Sequence, residues 1–345
     1  MHMADALLSP TVGGAMWAAT AGAIAYSSAK VRNDFDEKKV PLMGVLGAFL
    51  FAAQMVNFTI PATGSSGHLG GGLLLSILLG PHAALLTIAS VLVVQALFFA
   101  DGGLLALGCN IFNMGIVPAF IVYPLFYRKF AGTSPGPGRL KAAIIVSALI
   151  GLQLGPFCVV LETWLSGVSS LPFGTFLLLM QPIHLPIGVA EGIITASIVS
   201  FLHKARPEIL ADSSGERSYS FRSIALTLLV AALLTGGVLS WYASKNPDGL
   251  EWAIAKVTGT EDLKGPEQGL HGLLASIQER IAFLPDYTFR KPKPETQGAA
   301  ASHGPDRNGE GNKLGTSASG IIGGIITLTI VFLVGFVLKR RSPAL

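Results

Sequence analysis

Three features of the sequence predict an all-α polytopic membrane protein. Of 345 residues, 51% are hydrophobic and only 13% are charged, whereas soluble domains carry about a quarter charged residues. Apolar runs of about 20 residues recur along the chain, the length at which a helix crosses a hydrocarbon core. Alternating strand patterns of the barrel type are missing from the sequence. The formal charge of +4 is small, and the basic residues sit at the ends of apolar runs. They read as topology signals, with no nucleic-acid surface implied.

Spans are expected at about 12–29, 41–57, 69–80, 82–99, 108–127, 140–161, 183–203, 222–243 and 318–338. The segment 69–80 is short for a crossing and is broken from its successor at Pro81. A short helix of this kind ends inside a protein-lined cavity. The stretch "LPFGTFLLLM" at 171–180 reads as re-entrant or interfacial. Basic loops fall at 30–39, 128–141 and 203–222, and the tail carries Lys339, Arg340 and Arg341, while the loops 58–68 and 100–107 hold no Lys or Arg. By the positive-inside rule the basic loops are cytoplasmic. Nine crossings then satisfy every loop, with the N-terminus outside and the C-terminus inside, and this parity requires 69–80 to cross.

The chain divides into a seven-span bundle (1–204), a polar cytoplasmic linker (205–221) and a C-terminal part (222–345). The last is a helix pair enclosing a long outside segment, 244–317. Within it, "LHGLLASIQERIAFL" (270–284) reads as a helix lying over the outer surface, and "KPKPETQGAAASHGPDRNGEGNK" as linker. Cys109 and Cys158 lie in apolar surroundings and read as small buried hydrophobes. No basic leader precedes the first span, so the N-terminus is expected to stay attached. No internal repeat is apparent.

The opening "MHMADALLSP" carries the most specific chemistry. The α-amine of Met1 with the amide and ring nitrogens of His2 can chelate one ion in fused rings. Three coplanar nitrogens leave a corner open, and a planar four-nitrogen site favours Ni(II) or Cu(II) over Mg, Ca or Mn. The outside loop "NFTIPATGSSGHLGGG" places His68 on the same membrane face, among glycines that permit close backbone approach. Asp5 is positioned to accept from an imidazole N–H. Asn57, Ser65 and Ser66 are polar groups for the same cavity, and His184, at the outer end of its span, is a reserve candidate. Asn110 and Asn113 lie one turn apart and either line the cavity or grip a neighbouring helix. Glu162 and Glu191, carboxylates within spans, either attract cations or pair inside the bundle. HExxH, GxSxG, CxxC and Walker A patterns are absent from the sequence, so the chain is expected to be a transport component and not an enzyme.

The stretch "TGSSGHLGGGLLLSILLGPHAALLTIASVLVVQALFFADGGLLALGCNIFNMGIVPAF", the Met-His start and "HLPIGVAEGIIT" (184–195) closely resemble the CbiM/NikM family. These are the substrate-binding components of energy-coupling factor importers for cobalt and nickel. The resemblance covers about 1–205. It implies a seven-span bundle with an outside N-terminus, a metal held by Met1, His2 and His68, and residence in the cell membrane. It also implies two partners, a transmembrane coupling subunit and a cytoplasmic ATPase. Many members begin Met-His-Ile-Met-Glu-Gly; here Asp5 supplies a carboxylate shorter by one methylene. "PDGLEWA" (247–253) is similar to the PDGLE domain of the small accessory subunit, here fused to the binding component. That fusion tilts the implied cargo toward nickel, with no resident cofactor. The alternatives are a cobalt importer feeding cobalamin synthesis and an ATP-independent carrier using Glu162 or Glu191.

Overall fold

The computed structural model describes residues 2–34, 36, 39–205, 221–263, 265–289 and 312–340. Met1, most of the 205–221 linker and the stretch 290–311 lie outside the described residues. The chain is mostly helical, and its helices begin and end where local chemistry dictates. α1 (Pro10–Asn33) opens on a Ser9 side chain that accepts from the Val12 N–H, with Pro10 where a missing N–H is harmless. α2 (Lys39–Gln54) leads into a hairpin of β1 (Phe58–Ile60) and β2 (Ser65–Gly67). The hairpin is antiparallel, with Phe58 opposite Gly67 and Ile60 opposite Ser65. It is a small departure from the all-α expectation.

Gly71, left-handed at φ 77°, turns the chain into α3 (Gly72–Leu79). A Cβ on Gly71 would fall 2.1 Å from Leu50 Cδ1, so conformation and contact both demand glycine. α3 has eight residues, about 12 Å of helix, and cannot cross a bilayer alone. Yet His68 stacks on His2 beside the start of α1, whereas His82, opening α4 (Pro81–Phe99), touches Ser27 and Tyr26 near its other end. The chain therefore passes from one end of the bundle to the other between 68 and 82, first as non-helical backbone and then as α3. The non-helical stretch is tolerated because protein groups satisfy its backbone: Gly70 and Gly71 N–H donate to Glu191, and Gly70 O accepts from Gln54.

α5 (Leu107–Ile111), a π-helical stretch (Phe112–Tyr127) and α6 (Arg128–Ala131) form one continuous rod. Pro118 and Pro124 lie inside it, and the Arg128 N–H reaches back five residues to Tyr123 O. α7 (Pro137–Ser166) stops at left-handed Gly167, and α8 (Phe173–Ala205) follows. Most of 171–180, expected to be interfacial or re-entrant, is instead the first turns of α8. Phe176 and Met180 there are fully buried against Val159 and Val160 of α7, so packing on a neighbouring helix draws this segment into the bundle.

The C-terminal part contributes α9 (Phe221–Gly237), α10 (Gly249–Thr258), α11 (Gly269–Ile281) and α12 (Asn312–Arg340). α9 and α12 pack on α2: Gly44 meets Phe332, Gly47 meets Thr327, and a Cβ on Gly320 would fall 2.6 Å from Gly236 Cα. Such close backbone approach is how helices associate where lipid removes the hydrophobic drive. Five described helices are long and apolar enough to span: α4, the Leu107–Ala131 rod, α7, α8 and α12. α2 and Ala225–Gly237 are apolar but shorter, and α1 is long but rich in Gly, Ala, Ser and Thr. Leu178, Val189 and Ile193 on α8, Leu233 on α9 and Leu333 on α12 are exposed, as lipid-facing positions are. The chain is a multi-pass membrane protein.

Candidate metal site

Residues 2–8 enter the mouth of the bundle as an extended arm with one 3-10 turn, Asp5–Leu7. Met3, Leu7 and Leu8 are fully buried in a core shared with α7, α8 and α10. Asn110 grips the arm as a neighbouring strand would: Met3 N–H donates to Asn110 Oδ1 at 2.8 Å, and Asn110 Nδ2 donates to Met3 O at 3.2 Å. The Gly103 N–H donates to the same carbonyl at 2.9 Å. His2 is thereby delivered to His68, and the rings stack with centroids 5.2 Å apart and planes 15° from parallel.

A polar relay bears on which nitrogen of His2 is available. Gly70 O can only accept, so Gln54 must present its amide nitrogen there (3.0 Å). Gln54 Oε1 then accepts from Gln95 Nε2 at 2.9 Å. Gln95 Oε1 is left facing His2 Nε2 at 3.2 Å and favours the proton on that nitrogen, while Asp101 Oδ1, 3.2 Å from Nδ1, is an acceptor on the other side of the ring. A cation at Nδ1 takes the tautomer that Gln95 stabilises. At His68, Nδ1 donates to Leu69 O at 3.2 Å, which leaves its lone pair on Nε2. The relay ends two residues beyond His68 and so ties both histidine-bearing segments together.

A carboxylate stands beside each of these nitrogens. Asp101 Oδ1 lies 3.2 Å from His2 Nδ1, and Asp248 Oδ2 lies 3.9 Å from His68 Nε2. The second oxygen of Asp101 accepts from the Tyr287 hydroxyl. Burial lowers the pKa of both imidazoles, His68 well below its ordinary value, and the carboxylates of Asp101 and Asp248 offset only part of the effect. Both rings are thus neutral near neutral pH, the form that binds metal. Among the described residues no three side chains of His, Cys, Asp or Glu converge as a ready cage. The pair opens onto a cavity of about 580 Å³ lined by both parts of the chain.

Residues 2–209 match the family described as the cobalt uptake substrate-specific transmembrane region, CbiM, and residues 222–340 match the PDGLE domain. The chain belongs to the CbiM family. A relative from Archaeoglobus fulgidus, assigned as a fused nickel transport protein, NikMN, is 30% identical over 344 residues and covers 99% of each chain. The fused nickel transport protein NikMN of Rhodobacter capsulatus is 30% identical over 83% of this chain and 88% of its own. The cobalt transport protein CbiM of Geobacter sulfurreducens is 29% identical over 78% of this chain and 81% of its own. The crystal structure of a truncated transition metal transporter matches with 30% identity and a TM-score of 0.52, over 59% of this chain and 99% of that one.

In this CbiM-family chain the residues singled out from sequence divide into those the fold brings together and those it uses elsewhere. His2 and His68 meet; Met1 lies outside the described residues. Asp5 does not accept from an imidazole. Its Oδ1 accepts from the Ala106 N–H at 2.9 Å, and a Cβ on Gly103 would fall 1.8 Å from that oxygen. The 3-10 turn points Asp5 at the 101–106 loop and away from His2, and burial raises its pKa. Ser65 and Ser66 do not line the cavity: their hydroxyls donate to Pro247 O (3.3 Å) and Asn246 O (2.8 Å), docking the C-terminal part. Asn57 lines the cavity, and its carbonyl accepts from the Ser244 N–H. Asn113 donates to Glu162 at 2.8 Å. His184 is buried in α8, its Nδ1 donating to Met180 O at 2.7 Å and its Nε2 edge turned toward Gly249. It lines a cavity of about 20 Å³ with His68 and Asp248.

Asp101, Asp248 and Tyr287 escaped the sequence reading, and Gln95 stood only among several intramembrane amides. The signal for Asp101 was the glycine pair after it, which admits the N-terminal arm. The signal for Asp248 was its place in "PDGLE". The 270–284 helix is α11, which lies over the arm: His271 Nε2 donates to Leu8 O at 2.8 Å, and Gln278 Nε2 to Ala96 O and Gly102 O.

Proposed function

We propose that this chain is the substrate-binding membrane component of an energy-coupling factor importer, with Ni(II) as cargo and Co(II) the runner-up. The observation that carries the reading is the meeting of the two histidines: the rings of His2 and His68 stack with centroids 5.2 Å apart, with Asp101 and Asp248 beside them and Gln95 holding an acceptor against His2 Nε2. His2 Nδ1 is the ring nitrogen that closes a fused chelate with the His2 amide and the Met1 α-amine, and His68 Nε2 fills the fourth corner. Four nitrogens in a plane favour a late first-row dication, and loss of the amide proton couples uptake to proton release. Names of the fused relatives favour nickel.

In this reading the bundle of residues 1–204 crosses seven times, the third crossing being the non-helical stretch 68–71 and α3. The C-terminal part adds two spans, with the N-terminus outside and the C-terminus inside. The ion binds from outside and is occluded by the arm and α11. A coupling subunit and a cytoplasmic ATPase bias the chain toward a state of lower affinity, since a ligand site alone cannot move a population uphill. Asp101 offsets the charge of the loaded site, and Gln95 holds the His2 ring in its tautomer.

The experiment is titration of the purified full chain with Ni(II) and with Co(II), comparing the free N-terminus with a chain extended by one residue. The extension displaces the amine from the His2 ring and is expected to abolish tight binding and the absorption band of planar Ni(II). Retention of wild-type affinity after extension overturns the reading.

A further inference from the structure

The five residues Pro247–Glu251 lie at the mouth of the bundle, and each takes part in a contact or a cap there. Pro247 O accepts from the Ser66 N–H at 2.8 Å, and Asn246 O accepts from the Ser66 hydroxyl at 2.8 Å. A parallel bridge sets Asp248 opposite Ser66, two residues from His68. Asp248 Oδ1 caps α10, accepting from the Leu250 and Glu251 N–H groups at 2.8 and 2.9 Å, while Glu251 accepts from the Asp248 N–H in return. The cap fixes the carboxylate plane and turns Oδ2 toward His68 Nε2. A side chain on Gly249 would place a Cβ 2.9 Å from His184 Cε1. Leu250 is buried in one core with Met3 and Leu7 of the N-terminal arm.

We propose that Asp248 is a functional residue of the metal site: a carboxylate carried in by the C-terminal part, facing His68 and offsetting the charge of the bound dication. The proposal rests on the metal-site reading above. The gap of 3.9 Å between Asp248 Oδ2 and His68 Nε2 is too long for a hydrogen bond. Both atoms carry lone pairs, so a cation held at Nε2 lies in the field of the carboxylate. The arrangement repeats the one at His2, where Asp101 from the bundle plays the same part. The site is therefore complete only when the C-terminal part is docked, and the PDGLE sequence is the piece of it that takes part.

The test is Asp248→Asn in the full-length chain, titrated with Ni(II) alone. Asn is an equally good helix cap, so the variant removes the charge and keeps the loop; matched thermal midpoints of the metal-free proteins check this. Glu267→Gln removes an exposed charge of the same sign from the same part of the chain, outside the cavity. Asp248→Asn is expected to weaken the tight equivalent by about tenfold or more, with Glu267→Gln within about threefold of wild type. Wild-type affinity in Asp248→Asn overturns the proposal. Equal losses in both variants also overturn it, since they report a diffuse field. The one-residue N-terminal extension is run beside them. If it leaves binding intact, the metal-site reading itself has failed; if it abolishes binding and Asp248→Asn does not weaken it, only the role of Asp248 has.

Discussion

At the scale of single residues, the decisive group outside the two histidines is an amide. Gln95 is fully buried and holds its Oε1 against His2 Nε2, which favours the tautomer that leaves Nδ1 open to a cation. Gln95→Leu keeps the volume and removes the acceptor, freeing His2 to take the tautomer with its proton on Nδ1, which cannot bind at that nitrogen. It also leaves Gln54 Oε1 without its donor. Ni(II) affinity is expected to fall about 10- to 100-fold, the usual cost of losing a partner that orients a ligand. Wild-type affinity in this variant would show that the relay does not set the tautomer. That His2 and His68 meet was legible in the sequence: one opens the first apolar segment, and charge parity predicts the other on the same face. Gln95 was not, because an intramembrane amide more often bonds between helices, and only coordinates reveal a chain of amides ending at a carbonyl. Asp101 and Asp248 were hidden because an acidic residue before glycine reads as an ordinary turn.

At the scale of elements, the third crossing shows what a hydropathy pattern can and cannot say. Parity calls for a change of sides between 68 and 82, and His68 and His82 lie toward opposite ends of the bundle. The pattern could not tell that the stretch before α3 is non-helical, because the groups that satisfy it come from remote elements. Glu191 on α8 is the chief of these, accepting from Gly70 N–H at 2.8 Å and Gly71 N–H at 3.1 Å with its two oxygens. For the segment 171–180 the reason is similar: Phe176 and Met180 are buried in one core with Val159 and Val160 of α7, a contact no local pattern records. Glu191→Gln offers one acceptor where two are needed and turns an NH₂ toward an N–H. The expected cost is about 1–3 kcal/mol, the price of leaving a buried donor unmade. It should appear as a lower thermal midpoint with faster hydrogen exchange confined to residues 68–72. If exchange there is unchanged, the carboxylate is not the anchor of the His68 loop.

At the scale of the whole molecule, two parts of one chain share a seam and a lid. The seam is glycine-lined: α9 and α12 lie along α2 through Gly44, Gly47, Gly236 and Gly320. The lid is the loop before α10 with the first turn of that helix: the loop backbone pairs with β2, and Trp252 Nε1 in α10 donates to Thr63 O at 2.9 Å. Gly249 is where lid and bundle come closest, against the His184 ring, with Ile187 Cδ1 at 3.3 Å from the same would-be Cβ. His184 cannot yield easily, because its Nδ1 is tied to Met180 O. Gly249→Ala is therefore an overpacking change at a fixed wall, expected to destabilise the docked loop by about 1–3 kcal/mol. The strain falls on the lid and not on the seam, so α9 and α12 should keep their protection while the Ser66 N–H, which depends on Pro247 O, exchanges faster. Hydrogen exchange resolved to these segments checks this. Uniform loss of protection across α2, α9 and α12 would mean that lid and seam are one cooperative unit, and unaltered exchange at Ser66 would mean that the loop is not held against His184.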